Sequence, residues 1–141
     1  MKLVIDASVA VKWLLDEPGT REAEALLGAC QEGRITPFAP EILAAEVAAV
    51  LWKRVVRGFL RADQAAFLYE RFNRIRPVLT PISSLAGSAM RLALEHRHSV
   101  YDSLYVAFAL ENGCDLITAD ERLFRTFAPS FPQVRLLRDW S

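Results

Sequence analysis

With 141 residues, 52% of them hydrophobic and 24% charged, the chain has the length of one domain and the composition of an ordinary globular protein. Seventeen basic residues balance seventeen acidic ones, which excludes a global cationic field of the kind that draws proteins to nucleic acid or anionic membranes. Cys30 and Cys114 lie too far apart for a CxxC or Cys/His cluster, the start of the chain lacks a signal-peptide layout, and no apolar run reaches the ~18 residues of a membrane span, so a cytoplasmic protein with two buried thiols is expected.

Short apolar runs alternate with longer helical patterns. "KLVI" (2–5) reads as a buried strand, and "ASVAVKWLLDE" (7–17) as a helix that Pro18-Gly19 ends. Thr20 is the expected N-cap of "REAEALLGACQE", and "ITPFA" (35–39) is a second strand restricted by Pro37. Helices follow at about 41–56 and 62–75, then a short strand in "PVLTPI" (77–82) and helices at about 84–96 and 100–112. "DLIT" (115–118) is a fourth strand, "ERLFRTF" a short helix and "VRLL" (134–137) a fifth strand. Strands separated by helices imply parallel pairing through crossovers. The expected architecture is a three-layer α/β/α sandwich with a mainly parallel sheet of four or five strands, one domain over residues 1–141.

In such sheets ligands bind beyond the carboxyl ends of the strands. Asp6 and Asp120 each follow a predicted strand. Both also suit the N-cap of the next helix, and Ser99-Val100-Tyr101-Asp102 has the form of a capping box. Glu46 is different. It lies mid-helix in "EILAAEVAAVL" with Ile42, Leu43, Ala49 and Val50 on its face, where no orphan N–H needs it and an unpaired carboxylate is costly. A distant buried arginine would satisfy it, and so would a divalent cation. A cation would account for all four acids at once, since hard carboxylate oxygens suit Mg²⁺ or Mn²⁺ and crowd together only when their charge is neutralised.

The basic residues are clustered: Lys53, Arg54, Arg57, Arg61, Arg71, Arg74 and Arg76 against Asp63 and Glu70. The run reads either as a basic surface or as two solvated helix faces. His96 and His98, the two histidines, are expected as exposed helix-end residues. Trp13, Trp52, Tyr69 and Phe72 suit core or interface positions better than base stacking.

"LVIDASV" near the start, "AAEV" about forty residues later and "VYDSLYVAFALENGCDLITADERL" near the end together resemble PIN-domain ribonucleases, in particular the VapC-type toxins of type II toxin–antitoxin systems. The resemblance implies a Rossmann-like fold and a Mg²⁺- or Mn²⁺-dependent endoribonuclease whose acidic metal site is Asp6, Glu46, Asp102 and Asp120. Ser8 and Thr118 stand where the family has small polar helpers, and either also fits as an ordinary turn or strand residue. Lys12, Arg54 and Arg57 are candidate contacts to RNA phosphates. The resemblance further implies a homodimer and a cognate VapB-like antitoxin. A non-catalytic PIN-like module that binds RNA or protein remains the alternative. A phosphatase-like domain with Asp6 as nucleophile is disfavoured because the second position after it is Ser8, and a receiver-like domain because "VRLLRDW" offers no lysine after the late strand.

Overall fold

The structure, a computed structural model, describes residues 1–140. Among them the strands are β1 (Lys2–Ile5), β2 (Thr36–Pro40), β3 (Val78–Thr80), β4 (Asp115–Thr118) and β5 (Val134–Leu136). The helices are α1 (Ala7–Ala10), α2 (Thr20–Gln31), α3 (Ile42–Val56), α4 (Ala62–Ile75), α5 (Ala86–His96), α6 (Val100–Asn112) and α7 (Glu121–Phe127). Single 3-10 turns follow α1 (Val11–Trp13) and β5 (Leu137–Asp139).

All pairings are parallel, in the order β3-β2-β1-β4-β5. Leu3, Val4 and Ile5 of the central strand are all buried. Successive strand residues point to opposite faces, so both faces of the sheet are covered, and the α/β sandwich follows from that alternation. The chain runs outward from β1 through β2 to β3, then returns to place β4 on the other side of β1. The order therefore reverses between β1 and β4, and the crevice outside their carboxyl ends is the place where such a sheet binds ligands.

β2 carries Pro37 and Pro40, which sit badly in a doubly flanked strand. The register resolves this. Pro37 pairs with Leu3 of β1 at a level that β3, starting opposite Phe38, does not reach; Pro40 pairs with Thr80 of β3 beyond the last β1 pair at Phe38. Each proline has a strand neighbour on one side only.

The first helix is shorter than its periodicity predicts. After Ala10 it tightens into the 3-10 turn and is over by Leu14, because Trp13 is buried and its indole N–H donates to the Ala23 carbonyl at 2.8 Å, tying the segment to α2. The expected N-cap of α2 also shifts by one residue. Gly19 flanks the helix with φ 92°, which only glycine adopts without strain, while the Thr20 hydroxyl turns back to accept the Glu17 N–H at 2.9 Å and donate to the Leu15 carbonyl at 3.2 Å. α6 is buried continuously from Ser103 to Ala109, as its apolar circumference requires. It ends at Gly113 in the left-handed conformation. Cys114 is buried and Cys30 only half-buried, both as free thiols. No helix of the described residues is long and apolar enough to cross a membrane.

Candidate active site

Asp6 stands one residue beyond β1, where the backbone turns from strand into α1. It is 4% exposed. Its Oδ1 accepts the Val9 N–H at 3.3 Å, which makes it the N-cap of α1, and the Ser8 hydroxyl at 2.5 Å. Its Oδ2 accepts the Thr118 hydroxyl from the end of β4 at 2.5 Å. Burial pushes the Asp6 carboxyl up to about 7 against these hydrogen bonds, and the charge of Asp102 pushes in the same direction as burial.

Ser8 and Thr118 are thus tied to Asp6 by geometry. The Ser8 hydroxyl also accepts the Ala119 N–H at 2.8 Å and lies 3.3 Å from the Thr118 hydroxyl. Thr118 is fully buried and accepts the Asp120 N–H at 3.0 Å. The ends of β1 and β4 are laced together by the two small hydroxyls.

Glu46 projects from the middle of α3 and is half-buried. The partner that excuses it is neither of those expected from the sequence: the hydroxyl of buried Tyr105, on α6, donates to its Oε1 at 2.5 Å. Burial still raises the Glu46 carboxyl above its ordinary range; the tyrosine opposes this and the charge of Asp102 adds to it. The phenol is in turn held far above its usual range by burial and by the negative charges of Glu46, Asp6 and Asp102.

Asp102 lies in the first turn of α6. Half of the expected capping box forms, the Ser99 hydroxyl accepting the Asp102 N–H at 3.1 Å. The Asp102 carboxylate goes elsewhere: its Oδ2 meets His98 Nε2 at 2.7 Å. The histidines therefore correct their expected exposure. The His98 side chain is 4% exposed, its ring edge-on to Phe127 at 5.3 Å, and half-buried His96 packs between Phe127 and Phe131 at 5.1 and 5.5 Å.

Asp120 caps α7 through Oδ1, which accepts the N–H groups of Arg122 and Leu123 at 2.9 and 3.2 Å. Its backbone N–H connects to Asp6 through the Thr118 hydroxyl. The fold thus brings Asp6, Glu46 and Asp102 into one electrostatic neighbourhood, with Asp120 at its edge.

The donor set matches a hard divalent cation in chemistry, since burial and mutual repulsion disfavour the charged forms of Asp6 and Glu46 and a cation relieves both. It is not a closed cage. Among the described residues no three acidic, histidine or cysteine side chains converge to ligate one ion directly. Such an open set leaves room for a hydrated ion gripped by one or two carboxylates.

The expected phosphate contacts are less free than the sequence suggests. Lys12 Nζ and Arg54 Nη2 both bind the Glu17 carboxylate, at 3.1 and 2.7 Å, and Arg57 is exposed at the end of α3. Lys12 also lines a cavity of about 280 Å³ with Arg138 that reaches Ala119 and Glu121, the two neighbours of Asp120. A larger cavity of about 560 Å³ near Ser84, Arg91 and Glu111 contains none of the four acids. Of the aromatics, Trp13 and Phe72 are core, Tyr69 packs on Phe72, and Trp52 is 64% exposed.

Residues 3–128 match the PIN domain family model. The chain is similar to Ribonuclease VapC3 of Pyrobaculum aerophilum, 36% identical over 129 residues that span 90% of this chain and 95% of that protein. Its fold resembles the crystal structure of PAE2754 from Pyrobaculum aerophilum, with a TM-score of 0.70 at 20% identity over 98% of this chain and 93% of the other. It also resembles VapBC2 from Rickettsia felis, solved bound to a DNA fragment from their promoter, with a TM-score of 0.67 at 16% identity over 96% and 97% of the two chains.

Proposed function

The chain belongs to the PIN-domain family, and we propose that it is a metal-dependent endoribonuclease of the VapC toxin type, hydrolysing RNA phosphodiester bonds and held inactive by a cognate VapB-like antitoxin. The observation that carries this reading is the grouping of Asp6, Glu46 and Asp102, from β1, α3 and α6, at the point where the strand order reverses. A reading in which the acids are only helix caps accounts for Asp120 and part of Asp6. It gives no role to Glu46 or to the Asp102 carboxylate, which meet Tyr105 and His98 instead of a helix end.

In this reading Asp6, Glu46 and Asp102 hold Mg²⁺ or Mn²⁺ by one or two direct carboxylates and otherwise through the ion's waters, with Asp120 beside them. When bound, the ion supplies an activated water and neutralises charge that develops on the phosphoryl and leaving oxygens. The protein's own groups do the positioning. Ser8 and Thr118 pin both oxygens of Asp6, and Tyr105 pins one oxygen of Glu46. Lys12, Arg54 and Arg57 contribute contacts to the RNA backbone, the first two on exchange from Glu17.

The partner assignment draws on relatedness to Ribonuclease VapC3 and on fold likeness to VapBC2. The same proposal includes a single PIN domain, a cytoplasmic location and a homodimer, the last supported by exposed Trp52, Val56, Phe59 and Phe67 on and between α3 and α4. Incubation of cellular RNA with the purified protein tests the activity: cleavage in Mg²⁺ or Mn²⁺ that stops with chelator and returns on adding back the ion supports it. Unchanged cleavage in chelator, or none with either ion, contradicts it.

A further inference from the structure

α5 ends in an unusual way. Arg97 follows its last residue with φ 54° and ψ 50°, and it is the one non-glycine residue with positive φ among those described. The left-handed position after a helix normally falls to glycine, and any other residue gives up about 1–2 kcal/mol there. The turn delivers His98: its N–H closes on the Ala93 carbonyl at 3.1 Å and its ring slides under Phe127. Its side chain, 4% exposed, has Nε2 2.7 Å from Asp102 Oδ2.

We infer that His98 is a positioning residue for Asp102, fixing the carboxylate in the orientation that faces Asp6 and Glu46; the inference rests on the metal-dependent reading above. A carboxylate oxygen accepts hydrogen bonds, so in this pair Nε2 is the donor. Without that donor the carboxylate has a competing local partner. Ser99-Val100-Tyr101-Asp102 is spaced for a full capping box, in which the acid folds back onto the Ser99 N–H. Among the described residues that reciprocal bond is not made, and the carboxylate is held instead through Oδ2 on His98. His98 thus selects between a carboxylate turned to cap its own helix and one presented to the acidic crevice. Groups that orient a metal-holding side chain in this way typically change metal affinity roughly 10–100-fold when removed.

Calorimetric titration of the full chain with Mn²⁺ in the absence of RNA tests this, with a thermal melt of each variant. His98→Phe keeps a ring against Phe127 but no donor, and His98→Gln returns an N–H near the position of Nε2. The expected result is Mn²⁺ affinity roughly 10–100-fold weaker in His98→Phe, in a protein that still melts cooperatively, and largely regained in His98→Gln. Wild-type affinity in His98→Phe, or equal weakening in both variants, overturns the inference and leaves the metal reading standing. No Mn²⁺ binding by the wild type overturns both. If the phenyl ring destabilises the fold, His98→Leu against His98→Gln makes the same comparison.

Discussion

Tyr105 on α6 donates its hydroxyl hydrogen to Glu46 on α3 at 2.5 Å, joining residues 59 apart in sequence. The phenol is buried and far above its usual range, so it stays neutral and acts purely as a donor. Tyr105→Phe removes that donor at constant ring volume. Leaving a half-buried acceptor unpaired costs about 1–3 kcal/mol, and the Glu46 carboxyl, already raised by burial, rises further. Chemical denaturation should show the stability loss, and the acidic limb of the cleavage profile should move to higher pH.

This pair marks what could be read from the sequence. Glu46 stood out because its helical neighbours are apolar. Tyr105 did not, since a tyrosine in a wholly apolar helix looks like core, and its hydroxyl finds Glu46 only when α3 packs near α6. His98 was hidden differently: two residues past a helix end it looks solvated, and only the turn at Arg97 and the cover of Phe127 bury it. Its spacing of four before Asp102 was the available signal. Helices α4, α6 and α7 match their expected bounds, α6 and α7 because the caps at Ser99 and Asp120 agree with the period, whereas α1 is cut short by a tertiary bond from Trp13.

The metal-free protein should lose stability as pH rises. A carboxyl raised in the folded state binds its proton more tightly there than in the unfolded chain, so its contribution is complete below the unfolded value and is lost as pH climbs through the folded one. At about 1.4 kcal/mol per pH unit, a displacement of Asp6 from 3.8 to about 7 bounds the loss at roughly 4 kcal/mol. Asp6→Asn should therefore melt higher than wild type at pH 8 in chelator, with the gap closing towards pH 4.

Thr118 serves Asp6 and Asp120 together. Thr118→Val keeps the shape, removes the donor to Asp6 Oδ2 and removes the acceptor of the Asp120 N–H. A stability loss of about 2 kcal/mol is expected from two stranded polar groups. Cleavage should fall with it. Thr118→Ser keeps the hydroxyl and should restore both, which melting curves and cleavage rates on the two variants will check.

Phosphate contacts reveal themselves through salt. On single-stranded RNA each lost contact lowers the slope of log affinity against log salt by about 0.7. Alanine at Arg57, which is exposed, should show this outright. Glu17→Gln should strengthen RNA binding and steepen the slope, because it releases Lys12 and Arg54 from their shared carboxylate. Binding isotherms at several salt concentrations, made in an Asp102→Asn background to prevent cleavage, distinguish these residues.

The most direct measurement is the rate of RNA cleavage, in Mg²⁺ and in Mn²⁺, by Asp6→Asn and Asp102→Asn proteins shown to be folded. Asparagine caps a helix as well as aspartate does, so Asp6→Asn retains α1, and in Asp102→Asn α6 keeps its own cap at Ser99, while both variants lose the negative charge. A shared acidic centre predicts that each substitution reduces cleavage by at least about two orders of magnitude, as removal of a principal electrostatic group does. Undiminished cleavage in both variants contradicts it.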